Sequence, residues 1–234
     1  MPDLRPIYLL AGGRGGGDMT AILELVFRDI GVASPTIAYV GSASDDNQGF
    51  FRMISGMFKP AGKARFVFAP TVDEKADIKK TVKTIESADA VFVSGGDVEA
   101  GVQVLERRGI AGIFADLYRN GKFFFGVSAG SIMLADKWVR WRDPDDDSTA
   151  ELFACLGVAH VICDTHGEGE GWEELRAAIA LSPEGTMGYG IASSACLRVD
   201  PDGKVAAIAG PVARYLSRGK KAVKQPDLLP AGGT

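Results

Sequence analysis

Short apolar runs alternate with helix-spaced stretches along the first half of this 234-residue chain, and that alternation leaves few folds open. Residues 7–10, 36–40, 65–68, 89–93 and 123–125 read as strands. Between them, residues 20–30 place Ile22, Leu25, Val26 and Ile30 on one helical face. A second helix runs through Phe50, Met53, Ile54 and Phe58, and a charged amphipathic one covers 73–87. Two short helices, 98–108 and 110–119, precede the fifth strand. Units of this length pack as βαβ crossovers, so a mostly parallel sheet with helices on both faces is expected, an α/β three-layer αβα sandwich. Ligand sites in such sheets form at the strand carboxyl ends. The glycine-rich turns at 12–17 and 95–96, and the turn that follows Phe125, all fall there.

Beyond Asp136 the pattern loosens. Residues 138–148 read as a loop, while 158–163, 188–199, 205–208 and 212–216 look like strands. Asp202-Gly203 predicts a hairpin over 195–209. Residues 1–216 are expected to form a single domain. The polar, Lys-, Pro- and Gly-containing segment 217–234 is expected to be a loose tail.

The fifth strand ends in Gly126-Val127-Ser128-Ala129-Gly130, and helical sequence follows at once. A serine on a strand-to-helix turn has its hydroxyl exposed, small neighbours let the backbone bend, and the helix N-terminus favours developing negative charge. Ser128 is therefore the candidate nucleophile. It needs a base, and the chain has two histidines. His160 lies inside an apolar run and reads as structural. His166 follows the end of that run and is the better base. For the acid that would orient it, Asp143, the carboxylates 145–147, Asp164, Glu168 and Glu170 are all open. Ala129 N–H supplies one oxyanion donor by geometry, and Gly95-Gly96-Asp97 is the candidate for the second. A third use of the same segment is chelation of a metal by His166, Glu168 and Glu170. The turn at 12–17 fails the spacing of a dinucleotide or phosphate loop, because Asp18 stands where the third glycine belongs.

Charge excludes other classes. Twenty-six basic against 30 acidic residues, with no basic run before Lys220, give no positive face for nucleic acid. No apolar run approaches the ~20 residues that span a bilayer. Three scattered cysteines suggest neither a disulfide framework nor a thiolate metal site. The first six residues lack a signal-peptide core, so a cytoplasmic protein without a cofactor is expected.

Leu9-Leu10-Ala11-Gly12-Gly13, the strand end 39–44, the stretch 88–97, the Ser128 elbow and Asp164-Thr165-His166 together resemble the peptidase S51 family. The resemblance spans about residues 7–210. That family includes dipeptidase E and cyanophycinase, and it is a serine-nucleophile relative of the class I glutamine amidotransferase fold. It implies a flavodoxin-like sheet with Ser128 as nucleophile, His166 as its histidine, and Gly96 and Ala129 at the oxyanion hole. Asp143 aligns with one family acid. The glutamate of a second family segment is missing, since residues 190–194 read Gly-Ile-Ala-Ser-Ser, and Asp164 is then the second choice. A serine peptidase acting on a small peptide or isopeptide is implied, with a homodimer left open. A catalytically silent binder of a small molecule or protein is the competing reading. Asp97, Asp164, Glu168 and Glu170 are expected to contact substrate. The acidic stretch from Glu168 to Glu174 argues against an aspartyl preference and for a cationic or neutral substrate.

Overall fold

A computed structural model describes residues 3–12 and 19–231. The chain runs β1 (Ile7–Leu10), α1 (Thr20–Ile30), β2 (Thr36–Val40), α2 (Gln48–Met57), β3 (Arg65–Ala69), α3 (Ile78–Ser87), β4 (Ala90–Val93) and α4 (Val98–Arg107). α5 (Ala111–Arg119), β5 (Phe123–Val127) and α6 (Ala129–Leu134) follow. The second half comprises β6 (Lys137–Trp141), β7 (Ala150–Ala154), β8 (Ile162–Thr165), α7 (Glu173–Ala180), β9 (Met187–Ile191), β10 (Cys196–Val199), β11 (Val205–Ile208), β12 (Val212–Arg218) and β13 (Lys221–Leu228). The glycine turn at 12–17 lies outside the described residues apart from Gly12.

The first sheet has seven strands in the order β11-β10-β1-β5-β4-β2-β3. Its β1-β5-β4-β2-β3 portion is parallel throughout. The β10–β11 hairpin adds an antiparallel edge, as Asp202-Gly203 predicts. Alternate residues feed two cores. Tyr8, Leu10, Tyr39, Phe92, Phe123 and Phe125 cluster with the buried faces of α1 and α2. Leu9, Val40, Val91, Val93 and Phe124 cluster with α4, α5 and α6 on the other side. Burial on both faces is why these strands read as unbroken apolar runs. α3 begins later than residue 73. Asp77 caps it, accepting hydrogen bonds from Lys79 N–H (3.0 Å) and Lys80 N–H (3.2 Å).

Apart from β10 and β11, the strands of the second half form a six-stranded sheet of their own, β13-β12-β9-β8-β6-β7, which the sequence pattern does not announce. Three expectations are corrected there. Residues 138–148 are not a loop: 137–141 pair with 150–154, leaving only 142–149 as the tip. Val139 is fully buried beneath α7, and Arg140 pairs across the strands with Glu151 at 2.8 Å. The segment from 217 is not a loose tail either. Arg218 pairs with Lys221 across Gly219 and Lys220, whose φ angles of 56° and 58° are those of a two-residue hairpin turn. Finally, 158–161 are not strand. Val158 and Ala159 give their N–H groups to Leu134 O at the end of α6, so β8 starts only at Ile162. His160 is consequently exposed and paired with Asp136 at 3.2 Å rather than held in the core. α6 packs against β1, β5 and β8 and thereby joins the two sheets.

Candidate active site

Ser128 stands between β5 and α6 at φ +53°, ψ −127°. That conformation costs a non-glycine residue about 1–3 kcal/mol and persists only where the surroundings enforce it. Here the Ser128 N–H donates to Leu10 O (2.9 Å) and Ser128 O accepts from Ser131 N–H (2.9 Å). The Ser131 hydroxyl ties the same knot by donating to Leu10 O at 2.8 Å. Both motif glycines are dictated by close approach. A Cβ on Gly130 would lie 2.1 Å from Val93 O, and one on Gly126 would lie 2.7 Å from the Gly130 carbonyl.

His166 follows β8, whose pairing with β9 ends at Thr165–Ile191. Its N–H donates to Ile191 O (2.9 Å), and its backbone turns at φ +46°. This brings Nε2 to 2.8 Å from Ser128 Oγ. The nucleophile and base predicted from sequence therefore meet, although 38 residues separate them.

The side expected to hold an oxyanion is the turn after β4. Gly96 adopts φ +144°, and a Cβ there would lie 1.8 Å from Ala43 O, so the chain passes hard against the residues that follow β2. Asp97 fixes this turn: its N–H donates to Ala43 O, and its carboxylate caps α4 by accepting Ala100 N–H, each at 2.8 Å. Gly95 lies against the nucleophile, with its virtual Cβ 3.1 Å from Ser128 Cβ. Gly96 N–H makes no backbone hydrogen bond among the described residues. Ala129, the first residue of α6, has no intrahelical acceptor for its N–H.

Gly96, Asp97, Ser128, Ala129 and His166 line one cavity of about 280 Å³, together with Ile132 and Trp138. Trp138 is hidden in the sequence because its strand reads as a loop. Five carboxylates complete the wall: Asp97, Asp164, Glu170, Glu173 and Glu174. Asp164 is only 5% exposed and accepts Thr165 N–H at 2.7 Å. Burial, reinforced by the charges of Glu174 and Glu170, pushes its carboxyl up to about 7. Burial likewise raises Glu174, against the opposing effect of the Trp138 Nε1–H that donates to it at 2.9 Å.

Two expected site residues lie elsewhere. Asp143 sits in the exposed tip after β6, where its carboxylate accepts Asp145 N–H at 3.1 Å, and it is not among the residues lining the cavity. Glu168 is also outside the cavity wall; its Oε1 accepts Ser193 N–H at 3.0 Å. Partial burial opposes its ionisation, but that hydrogen bond and the nearby His166 charge hold it below the usual carboxylate range. The structure does not gather His166, Glu168 and Glu170 as a metal-binding group, and no such group of three or more His, Cys, Asp or Glu side chains occurs among the described residues. No described helix is long and apolar enough to cross a membrane.

Fold and site together define an α/β protein in which a serine on a strand–helix elbow meets a histidine from the exit of a strand in the second sheet. The model of peptidase family S51 matches residues 7–206, and the chain belongs to that family. Among solved structures, a peptidase from an acI-B1 Actinobacterium is similar over 98% of this chain and 96% of its own, with a TM-score of 0.71 at 14% identity. A putative peptidase E protein from Listeria monocytogenes EGD-e matches 88% of this chain and 98% of its own, with a TM-score of 0.62 at 13% identity. At those identities the likeness is one of fold. In sequence, the chain is 41% identical over 58 residues to the pyridoxal 5'-phosphate synthase subunit PdxT of Hyperthermus butylicus. That segment is 25% of this chain and 29% of that relative.

Proposed function

We propose that this chain is a serine peptidase that cleaves a small peptide or isopeptide bond. The observation that carries the reading is the 2.8 Å contact between Ser128 Oγ and His166 Nε2, made by a serine held in a strained elbow conformation. His166 Nε2 takes the hydroxyl proton as Oγ bonds to the scissile carbonyl carbon. The oxyanion that forms is received by the N–H groups of Gly96 and Ala129. As the C–N bond breaks, His166 returns the proton to the leaving amine. Water then attacks the Ser128 ester, with His166 taking its proton, and the acid product leaves with the serine restored.

For the carboxylate that supports the imidazolium we assign Glu168 in place of Asp143. Glu168 is two residues from His166, is anchored on Ser193 N–H, and interacts electrostatically with the His166 charge. The cavity suits a dipeptide-sized ligand rather than a long peptide, given its volume of about 280 Å³.

The test is turnover of a panel of dipeptides and β- or γ-linked isopeptides, followed as release of the free amine. At least one member should be hydrolysed, and Ser128→Ala and His166→Ala should each lower kcat/KM by about 10³-fold or more. Turnover that survives Ser128→Ala would overturn the reading. Folded wild type inactive on the whole panel would favour the silent binder.

A further inference from the structure

The wall of the Ser128 cavity is acidic, and His166 is the one described side chain in it that can carry positive charge. Asp97, Asp164, Glu170, Glu173 and Glu174 line it, and no lysine or arginine does so among the described residues. None of the five forms an ion pair among those residues. Nearby basic side chains, Arg176, Lys220 and Lys221, line an adjoining cavity that shares Glu170 and Glu173 with the first. Two of the five are set into the fold rather than left to wave in solvent. Asp164 is 5% exposed on β8, and Glu174 is half-buried and fixed by Trp138 Nε1–H.

Like charges gathered in a partly buried space repel one another, and the protonated form of Asp164 gains accordingly. An entering organic cation reverses both effects: it pairs with carboxylates whose desolvation the fold already imposes, and Trp138 offers an aromatic wall beside it. An anionic side chain placed against these carboxylates would be repelled.

We infer that the ligand of this cavity presents an ammonium or guanidinium group to Asp164, Glu170 and Glu174, so that the enzyme selects small peptides that carry a cation beside the scissile bond. The inference rests on the peptidase reading for the word peptide, but the charge selection can be measured without catalysis. Two sources could supply the cation, a basic side chain or a free α-amino group.

Calorimetric titration of full-length Ser128→Ala separates these questions. The probes are N-acetyl-lysine methylamide, its neutral isostere N-acetyl-norleucine methylamide, alaninamide, and N-acetyl-aspartate methylamide. The lysine derivative, alaninamide or both should bind about 10-fold or more tightly than the norleucine derivative, in line with two partly exposed ion contacts. Which of the two does so identifies the source. The advantage should shrink in 1 M salt and fall to about twofold in Glu170→Gln/Glu174→Gln, where glutamine still accepts the Trp138 hydrogen bond. Glu170→Gln alone, at an exposed position, should show part of the loss in a chain whose fold is not at issue. Equal binding of charged and neutral probes, tightest binding of the aspartate derivative, or no binding of either cation would overturn the inference. Selective cation binding with an inactive wild type would instead leave the inference standing and remove the peptidase reading.

Discussion

Ser128 and His166 both occupy left-handed backbone conformations, with φ of 53° and 46°, and both are pinned by main-chain hydrogen bonds to neighbouring strands. Strain held in that way fixes where the hydroxyl and the imidazole point before substrate arrives, which is how a static fold contributes to rate. Glu168, read from the sequence both as a substrate contact and as one of the open acids, is the carboxylate proposed to support His166. Glu168→Gln should lower kcat by about 10-fold or more and move the acidic limb of the kcat/KM–pH profile to lower pH, because the imidazolium loses a stabilising charge. An unmoved profile would assign Glu168 to the Ser193 loop alone. Asp164 makes a separate prediction about stability. Its carboxyl rises from 3.8 to about 7 in the fold, so the folded state binds the extra proton between those values. The associated stability is present in full below about pH 4 and is lost as pH rises through about 7. Asp164→Asn retains an acceptor for Thr165 N–H and cannot ionise. Its urea midpoint relative to wild type should therefore climb from pH 5 to pH 8, and parallel midpoints would contradict the shift.

At the level of elements, what was legible followed the cores. Four of the five parallel strands, β1, β2, β4 and β5, are buried on both faces, and their sequences announce this as continuous apolar runs such as Phe123-Phe124-Phe125. The Ser128 elbow and His166 were readable because each sits at a strand exit with an unmistakable neighbour sequence. The second sheet was legible only in part: β8, β9 and β12 fall within or beside apolar runs, whereas β6, β7 and β13 are half-exposed and carry little apolar signal. In β6 the buried Val139 is flanked by tryptophans and arginines, and the aspartates of 143–147 obscured the pairing of 137–141 with 150–154. Asp143 was misplaced for the same reason: without the β6–β7 hairpin, nothing shows that it lies at the tip. β13 was hidden by lysines on an edge strand, where they discourage pairing with other chains. The Gly219-Lys220 turn provides its test. A Cβ at Gly219 would meet nothing within 4 Å, so Gly219→Val changes only backbone preference at φ +56°. Stability should fall by about 1–2 kcal/mol in denaturant unfolding. No loss would mean that β12 and β13 do not form this hairpin in solution.

Across the whole molecule, α6 is the piece on which the proposed chemistry depends. It lies between the sheets, and its first residue offers the Ala129 N–H beside the nucleophile. The first sheet supplies Ser128 and the Gly96 turn, whereas the second supplies His166, Trp138, Asp164 and, through α7, Glu173 and Glu174. Neither sheet alone carries a site. This division also explains why the acidic wall was harder to read than the Ser128–His166 pair: that pair sits in two motifs, while the wall is assembled from β8, the turn that caps α4, α7 and the segment before α7.

The most direct test of an activated Ser128 is the intact mass of the protein after incubation with a broad fluorophosphonate, run beside Ser128→Ala and His166→Ala. The account predicts a single adduct on wild type, none on Ser128→Ala and strongly slowed labelling of His166→Ala. Folded wild type that takes up no label, or equal labelling of Ser128→Ala, would contradict it.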